Sequence, residues 1–311
     1  MSFSPKLARF ARRTLLTLAV LATLTVGLIV EENWRGERAW REYAARQAAL
    51  GDPVDVFPAP STLPPERNFM KTPLLDRLLF AKDGSAELKE FGITLSSPEV
   101  PVGAIQVWRT GRMTDLAAVA GTTAAQGADT TALQTAYLAG ADSVLAAHAQ
   151  AGSSAILEEL RRAAAARPES QIVHRVAISE TSLLDFPLPN FPTVRRLMNA
   201  LALDASAALA RDRAVEAWGD VMAMVQLTRG FSDTPDITLV ETMVGTVLVN
   251  SVAQPVWEAE VRRSWTDSQW AGLQQELATI APLSSLERCL RIERVHAAGL
   301  LQNTGEETSF G

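Results

Sequence analysis

Three histidines, one cysteine and a handful of carboxylates set in apolar runs are the side chains of this 311-residue chain with reactive potential. His148, His174 and His296 fall in separate segments, with no partner four residues away and no HExxH, so no metal site is written locally. Each is expected to be a satisfied structural histidine, and no metal or cofactor is expected. Cys289 sits in LERCLRIE beside Leu286 and Ile292, with no adjacent histidine to lower its pKa. It is expected to pack as a small buried hydrophobe rather than act as a nucleophile. Glu241 is the only charged residue between Asp236 and Glu258 on a strongly apolar stretch. A carboxylate buried there needs a cation, a proton or a helix N-terminus beside it. Arg195, Arg196 and Arg229 are the expected partners, and structural pairing is preferred to catalysis; Glu293 in LRIERVH is read the same way. No GxSxG, GxxxxGK[ST] or GxGxxG occurs, so the usual nucleophile-elbow, phosphate-loop and dinucleotide signatures are missing. No catalytic residue is assigned.

Two apolar clusters invite a binding reading. FPLPNFP, residues 186–192, could offer Phe186, Leu188 and Phe191 on a Pro-stiffened loop. The preferred reading is that Pro192 starts a helix and the aromatics plug the core. Trp257, Trp265 and Trp270 are expected to pack the corner between two helices, an exposed pair being the mark of a partner surface.

The elements that must position these residues are mainly helical. In PTVRRLMNALALDASAALA, the residues Val194, Leu197, Met198, Leu201, Ala205, Ala208 and Leu209 recur at helical steps, with Arg195, Arg196, Asn199 and Ser206 off the stripe. A short ARDRA connection leads to a second helix expected to bury Val215, Trp218, Val221, Met222 and Val225, so the two form an antiparallel hairpin. Residues 236–253 read as the central buried helix, bent or ended by Pro255. Thr266 and Gln269 are spaced as a capping box, Ser284 or Ser285 starts a final helix, and residues 303–311 form a polar tail. Upstream, Thr114, Asp129 or Thr130, and Ser153 or Ser154 are expected helix caps. QIVHRVAIS, residues 171–179, alternates as one strand, and residues 90–110 are expected to hold a small irregular or β element.

Thr14 to Val30 is uncharged for seventeen residues, preceded by Lys6, Arg9, Arg12 and Arg13 and followed by Glu31 and Glu32. As a helix it measures about 26 Å, the short end of what crosses a bilayer core of ~30 Å. A signal peptide shares this charge order, but the run exceeds the usual h-region and lacks a small-x-small site at its end, so an uncleaved anchor is preferred. Basic residues before it place the N-terminus in the cytoplasm, the anchor in the inner membrane and the remainder outside, for a bacterial host. The expected organisation is a cytoplasmic N-terminus over 1–13, an anchor over 14–30, an amphipathic juxtamembrane helix over 31–50, a Pro-rich linker or strap over 51–73, a helical exported domain over 74–302 and the tail over 303–311. Trp34 and Trp40 suit an interface, and Gly51 is placed to end the juxtamembrane helix. Four of the 29 basic residues and none of the 35 acidic ones precede Glu31, so the rest carries 25 against 35, a net charge near −10. That balance argues against nucleic acid as a partner.

ENWRGERAWREYAA directly behind an anchor, then a Pro-rich stretch and paired helices with LARDRAVEAW, resembles an uncharacterised family of bacterial membrane-anchored helical proteins, which implies no activity. LALDASAALARDRAVEAWGDVMAMVQL is similar to one tetratricopeptide-type helix pair, with Ala208, Ala214 and Ala217 at the small positions of the crossing. The expectation is a single-pass protein, mainly α, whose helix hairpins serve as a binding or scaffolding module toward a protein of the cell envelope. Two alternatives stand beside it: a tethered hydrolase pairing Glu241 or Glu293 with a histidine, and an assembly component self-associating through the anchor and juxtamembrane helix.

Overall fold

The computed structural model describes residues 5–81, 107–119, 121, 129–150, 152–180 and 185–307. The chain divides into two units, 1–56 and 57–311. The first is one continuous helix, α1 (Pro5–Ala49), so the anchor and juxtamembrane segments share a single rod. Its apolar stretch is exposed throughout, from Leu15 to Val30. The threonine hydroxyls there are satisfied within the helix: Thr17 donates to the Arg13 carbonyl at 3.0 Å, Thr23 to Ala19 at 2.9 Å and Thr25 to Leu21 at 2.9 Å. Past Val30 the rod becomes charged, with Arg35 on Glu32 and Arg38 on Glu42, and Trp40 against Tyr43 at 5.7 Å between ring centroids. Gly51 follows with φ +78°, the left-handed geometry that ends a helix readily only with glycine.

The second unit is helical. Its helices are α2 (Pro73–Leu79), α3 (Leu116–Val119), α4 (Thr130–Gln150), α5 (Ser153–Ala166), α6 (Phe191–Ala210), α7 (Ala214–Asp233), α8 (Leu239–Arg262), α9 (Asp267–Thr279) and α10 (Pro282–Glu307). The expected α6–α7 hairpin is present, and α6 packs against α4, α7 and α8. All seven residues of its expected stripe are buried. Burial goes further: every residue from Ala200 to Ala210 is buried, including Ser206. The small side chains Ala200, Ala202, Ala205, Ala207, Ala208 and Ala210 let neighbours close on all sides, which a one-face period does not foresee. The central helix is therefore α6, not the 236–253 segment. On α8 only one face is inside, with Val240, Met243 and Val247 exposed, and the helix runs through Pro255 to Arg262. Although α8 is long and apolar enough to cross a membrane, Glu241 and Glu258 anchor its inner face in the domain core.

Several local expectations are corrected. Val215 is 81% exposed because it stands in the first turn of α7, outside the hairpin contact. Asp115, not Thr114, caps α3 by accepting from the Ala118 amide at 2.9 Å. Of the two caps expected for α4, Asp129 is the one that acts, accepting from the Ala132 amide at 2.7 Å. Gly152 with φ +70° starts α5, without a serine side-chain cap. Thr266 and Gln269 do form the capping box of α9. The final helix begins at Pro282 and continues into the expected tail as far as Glu307.

Among the described residues there is no strand. Residues 171–177 are irregular, bending at Arg175 and Val176, and pair with nothing as a ladder, and Ile178–Glu180 is a 3-10 turn. Their backbone groups go to side chains instead: Gln171 N–H donates to Asn68 Oδ1 at 3.0 Å and Ile172 N–H to Thr234 Oγ1 at 2.8 Å. A single parallel bridge joins Asn68 to Glu169. Most of the expected β element at 90–110 lies outside the described residues; Trp108–Thr110 is a 3-10 turn. The Pro-rich segment is docked through Phe69 and Met70, both fully buried, and through Phe57 against Ile178, Phe186 and Ile292.

Candidate functional site

Among the described residues, three buried polar clusters, two of them beside clefts, hold much of the ionisable chemistry of the fold. The first cluster centres on His174, whose side chain is 1% exposed. Glu241 is the third residue of α8 and completes a capping box: its Oε2 accepts from the Thr238 amide and hydroxyl, both at 2.8 Å. That leaves Oε1, which lies 2.8 Å from His174 Nε2, while Asp236 Oδ2 lies 3.0 Å from Nδ1. Burial works against charge on this imidazole, but the hydrogen bonds and charges of Asp236 and Glu241 prevail and push its pKa up to about 9. At neutral pH both ring nitrogens therefore donate, and the ring is a fixed cation between two carboxylates. Phe186 covers it edge-on at 4.8 Å.

The partner of Glu241 is thus a histidine 67 residues earlier in the chain and not an arginine. Arg195 and Arg196 are exposed on α6, and Arg229 engages Asp233 at 3.0 Å and Glu276 at 2.7 Å. Glu293 is half-buried and accepts weakly from the Leu239 amide at 3.4 Å. His296 stacks edge-on with Phe57 at 4.8 Å, and burial lowers its pKa. At His174 both ring nitrogens are engaged by carboxylates, so neither is left to accept a proton as a general base. Cys289 is buried, and burial raises its thiol pKa.

The second cluster went unread in the sequence. On α5, Arg161 reaches into the contact between α6 and α7, donating to Asp220 from Nε at 2.8 Å and from Nη2 at 3.0 Å. Its Nη2 also meets Asp204 on α6. The other oxygen of Asp204 lies 2.7 Å from His148 Nδ1 on α4. Four helices are thus tied by two carboxylates, a guanidinium and an imidazole. Burial works to raise the Asp204 carboxyl, yet the His148 and Arg161 contacts hold it below the usual range. Burial first and the Asp204 charge second push Asp220 well above that range. A cleft of about 600 Å³ opens beside Arg161 and Asp204, rimmed by Glu158, Arg213 and Glu216.

The third cluster fastens residues 107–114 to α8. Thr114 donates to Glu258 Oε1 from its amide at 2.8 Å and from its hydroxyl at 2.6 Å, and Gln254 Nε2 adds a third donor at 2.8 Å. Trp108 N–H donates to Gln254 Oε1 at 2.7 Å. Next to it, a cleft of about 650 Å³ is lined by the 113–118 run, by α4 and by Arg262 at the end of α8. Tyr137 in its wall has a phenol pushed up to about 12, by burial first and then by the charge of Glu258.

Aromatic expectations are partly redrawn. Trp265 packs with Trp270 at 5.0 Å and with Trp218 at 5.2 Å, so the corner partner is Trp218 from α7 rather than Trp257. Phe186 is buried, Phe191 lies 6.2 Å from Phe231, and Leu188 stays at the surface. Among the described residues no three histidine, cysteine or acidic side chains are grouped to hold a metal ion. Comparison with known protein families, curated proteins and solved structures returns no match to this chain.

Proposed function

We propose that this chain is a membrane-anchored binding module: α1 spans the inner membrane with its N-terminus in the cytoplasm, and the helical unit is carried outside to bind a partner of the cell envelope. The observation that carries the reading is the apolar stretch of α1. It is wholly exposed, free of charge over seventeen residues, and the hydroxyls of Thr17, Thr23 and Thr25 are satisfied within the helix. Exposed leucine and valine at that density are costly in water and at home in lipid, where a helix is one of two backbones that leave no amide unpaired. The four basic residues before the stretch favour the inside orientation. A binding role is supported by where the ionisable side chains go. His174 and His148 are tied to buried acids between helices, and the cleft beside Arg262 is lined largely by small and apolar side chains.

Paired fusions test the location. Alkaline phosphatase fused behind Glu307 should be active and green fluorescent protein at the same point dark, with the chain retained in membranes after carbonate washing. The reverse pattern, or a soluble chain trimmed behind residue 30, would overturn the proposal.

A further inference from the structure

We infer that the cleft between residues 113–118, α4 and the end of α8 binds a small amphipathic monocarboxylate, with Arg262 as the counter-ion for its head. The inference rests on the binding-module reading and gives that module a ligand class. Arg262 is half-buried in the last turn of α8, where the helix dipole favours a cation. Its Nη2 donates to the Tyr137 hydroxyl at 2.9 Å, and its guanidinium lies 5.7 Å from the centre of that ring. A phenol fixes the guanidinium without neutralising it. Among the described residues no carboxylate is within ion-pair distance of Arg262, and its Nε is hidden from water without a partner. Deeper-set arginines of this fold are by contrast claimed by acids, Arg161 by two aspartates and Arg229 by Asp233 and Glu276.

The cleft beside Arg262 has room for a small organic molecule at about 650 Å³. Met113, Ala117, Leu133, Ala136 and the ring of Tyr137 give it an apolar wall. A carboxylate matches the planar guanidinium, and an apolar tail matches that wall. Asp115 also lines the cleft. Its charge opposes any anion there, and opposes a phosphate dianion more than a singly charged carboxylate in a partly dehydrated space.

Equilibrium dialysis of the full chain in lipid nanodiscs, with empty nanodiscs subtracted, tests this with hexanoate, acetate, hexylamine and hexyl phosphate. Hexanoate should bind saturably, acetate and hexyl phosphate more weakly, and hexylamine not at all. Arg262→Gln should weaken hexanoate about tenfold or more, as expected for loss of a charge-assisted contact. Arg109→Gln, which alters an exposed arginine bonded to Asn250 at 3.2 Å, should leave it unchanged. Should Arg262→Gln disturb the melting temperature, Leu133→Trp, at an exposed wall position, must block hexanoate by filling the space. The inference fails if hexanoate does not bind, if it binds Arg262→Gln or Leu133→Trp as well as the native chain, or if hexylamine or hexyl phosphate binds as tightly. An exported body that ignores hexanoate sinks the cleft alone, and a hexanoate-binding chain with its reporter inside sinks the location alone.

Discussion

At His174 two carboxylates 67 and 62 residues away decide the state of one imidazole. Removing it leaves Asp236 and Glu241 facing each other in a space closed to water. His174→Gln is therefore expected to cost about 3 kcal/mol, the size usual for breaking a buried ion pair by deleting one partner. The pH dependence has a definite sign. The folded pKa near 9 stands above the ordinary 6.5, so the stabilisation is fully present below about 6.5 and is lost as pH rises through about 9. Thermal melts of native chain and variant at pH 6 to 10 should converge at the alkaline end; a constant gap would show that His174 folds neutral. In the Arg161 cluster the two acids behave oppositely. Asp204 adds stability above its ordinary pKa that is lost in acid, whereas Asp220, pushed up, gains by taking a proton as pH falls. Asp220→Asn keeps an acceptor for Arg161 and is expected to cost less than about 1 kcal/mol near pH 8. Arg161→Met strands Asp220 and leaves Asp204 with His148 alone, and should cost about 3–5 kcal/mol. Equal losses in denaturant titrations would refute this division of charge.

Between elements, close approach replaces charge as the deciding term. Gly140 on α4 lies against the backbone of α3, so a Cβ there would overlap the Leu116 carbonyl and carbon. In an exposed helix, glycine to alanine gains up to about 1 kcal/mol of propensity. Here the backbone of α3 must move, and Gly140→Ala is expected to lose about 1–3 kcal/mol net, as overpacked sites do. A rise in melting temperature would mean that α3 yields freely. The same scale shows what the sequence could disclose. The α6–α7 hairpin and the Thr266–Gln269 box were legible because period and capping are local rules. The strand expected at 171–179 was wrong because alternation describes only a chain's own two faces. Its supposed ladder partner is a set of side chains, Asn68 and Thr234, that no local pattern reveals. Glu241 was legible as a carboxylate in need of a partner, but an apolar-run argument names no partner 67 residues off. Asp204 in LALDAS and Asp220 in WGDVM carried that same signal, a lone acid among core residues, and would have pointed to the Arg161 cluster.

For the whole molecule, the separation into two units makes lipid attachment and folding of the body independently testable. The first unit has no core of its own around Thr14–Val30; every residue of that stretch is exposed, so its free energy is set by its solvent. The second unit carries its own continuous core, from Phe69 and Met70 through α6 to Cys289. Placing charge at the middle of α1 acts on the first unit alone. Each arginine at the centre of a spanning helix costs about 2.5–3.5 kcal/mol on the insertion scale, and a stretch of seventeen residues has little surplus hydrophobicity to absorb two. Leu21→Arg with Leu24→Arg should therefore move the chain from the membrane pellet to the carbonate-soluble fraction. The melting temperature of the helical unit, followed by the tryptophan signal of the Trp218, Trp265 and Trp270 corner, should stay within about 2 °C of the native value, because none of the core contacts is touched. A double variant that remains in the pellet would locate membrane attachment elsewhere, the exposed Val240, Met243 and Val247 face of α8 being the next apolar surface to mutate.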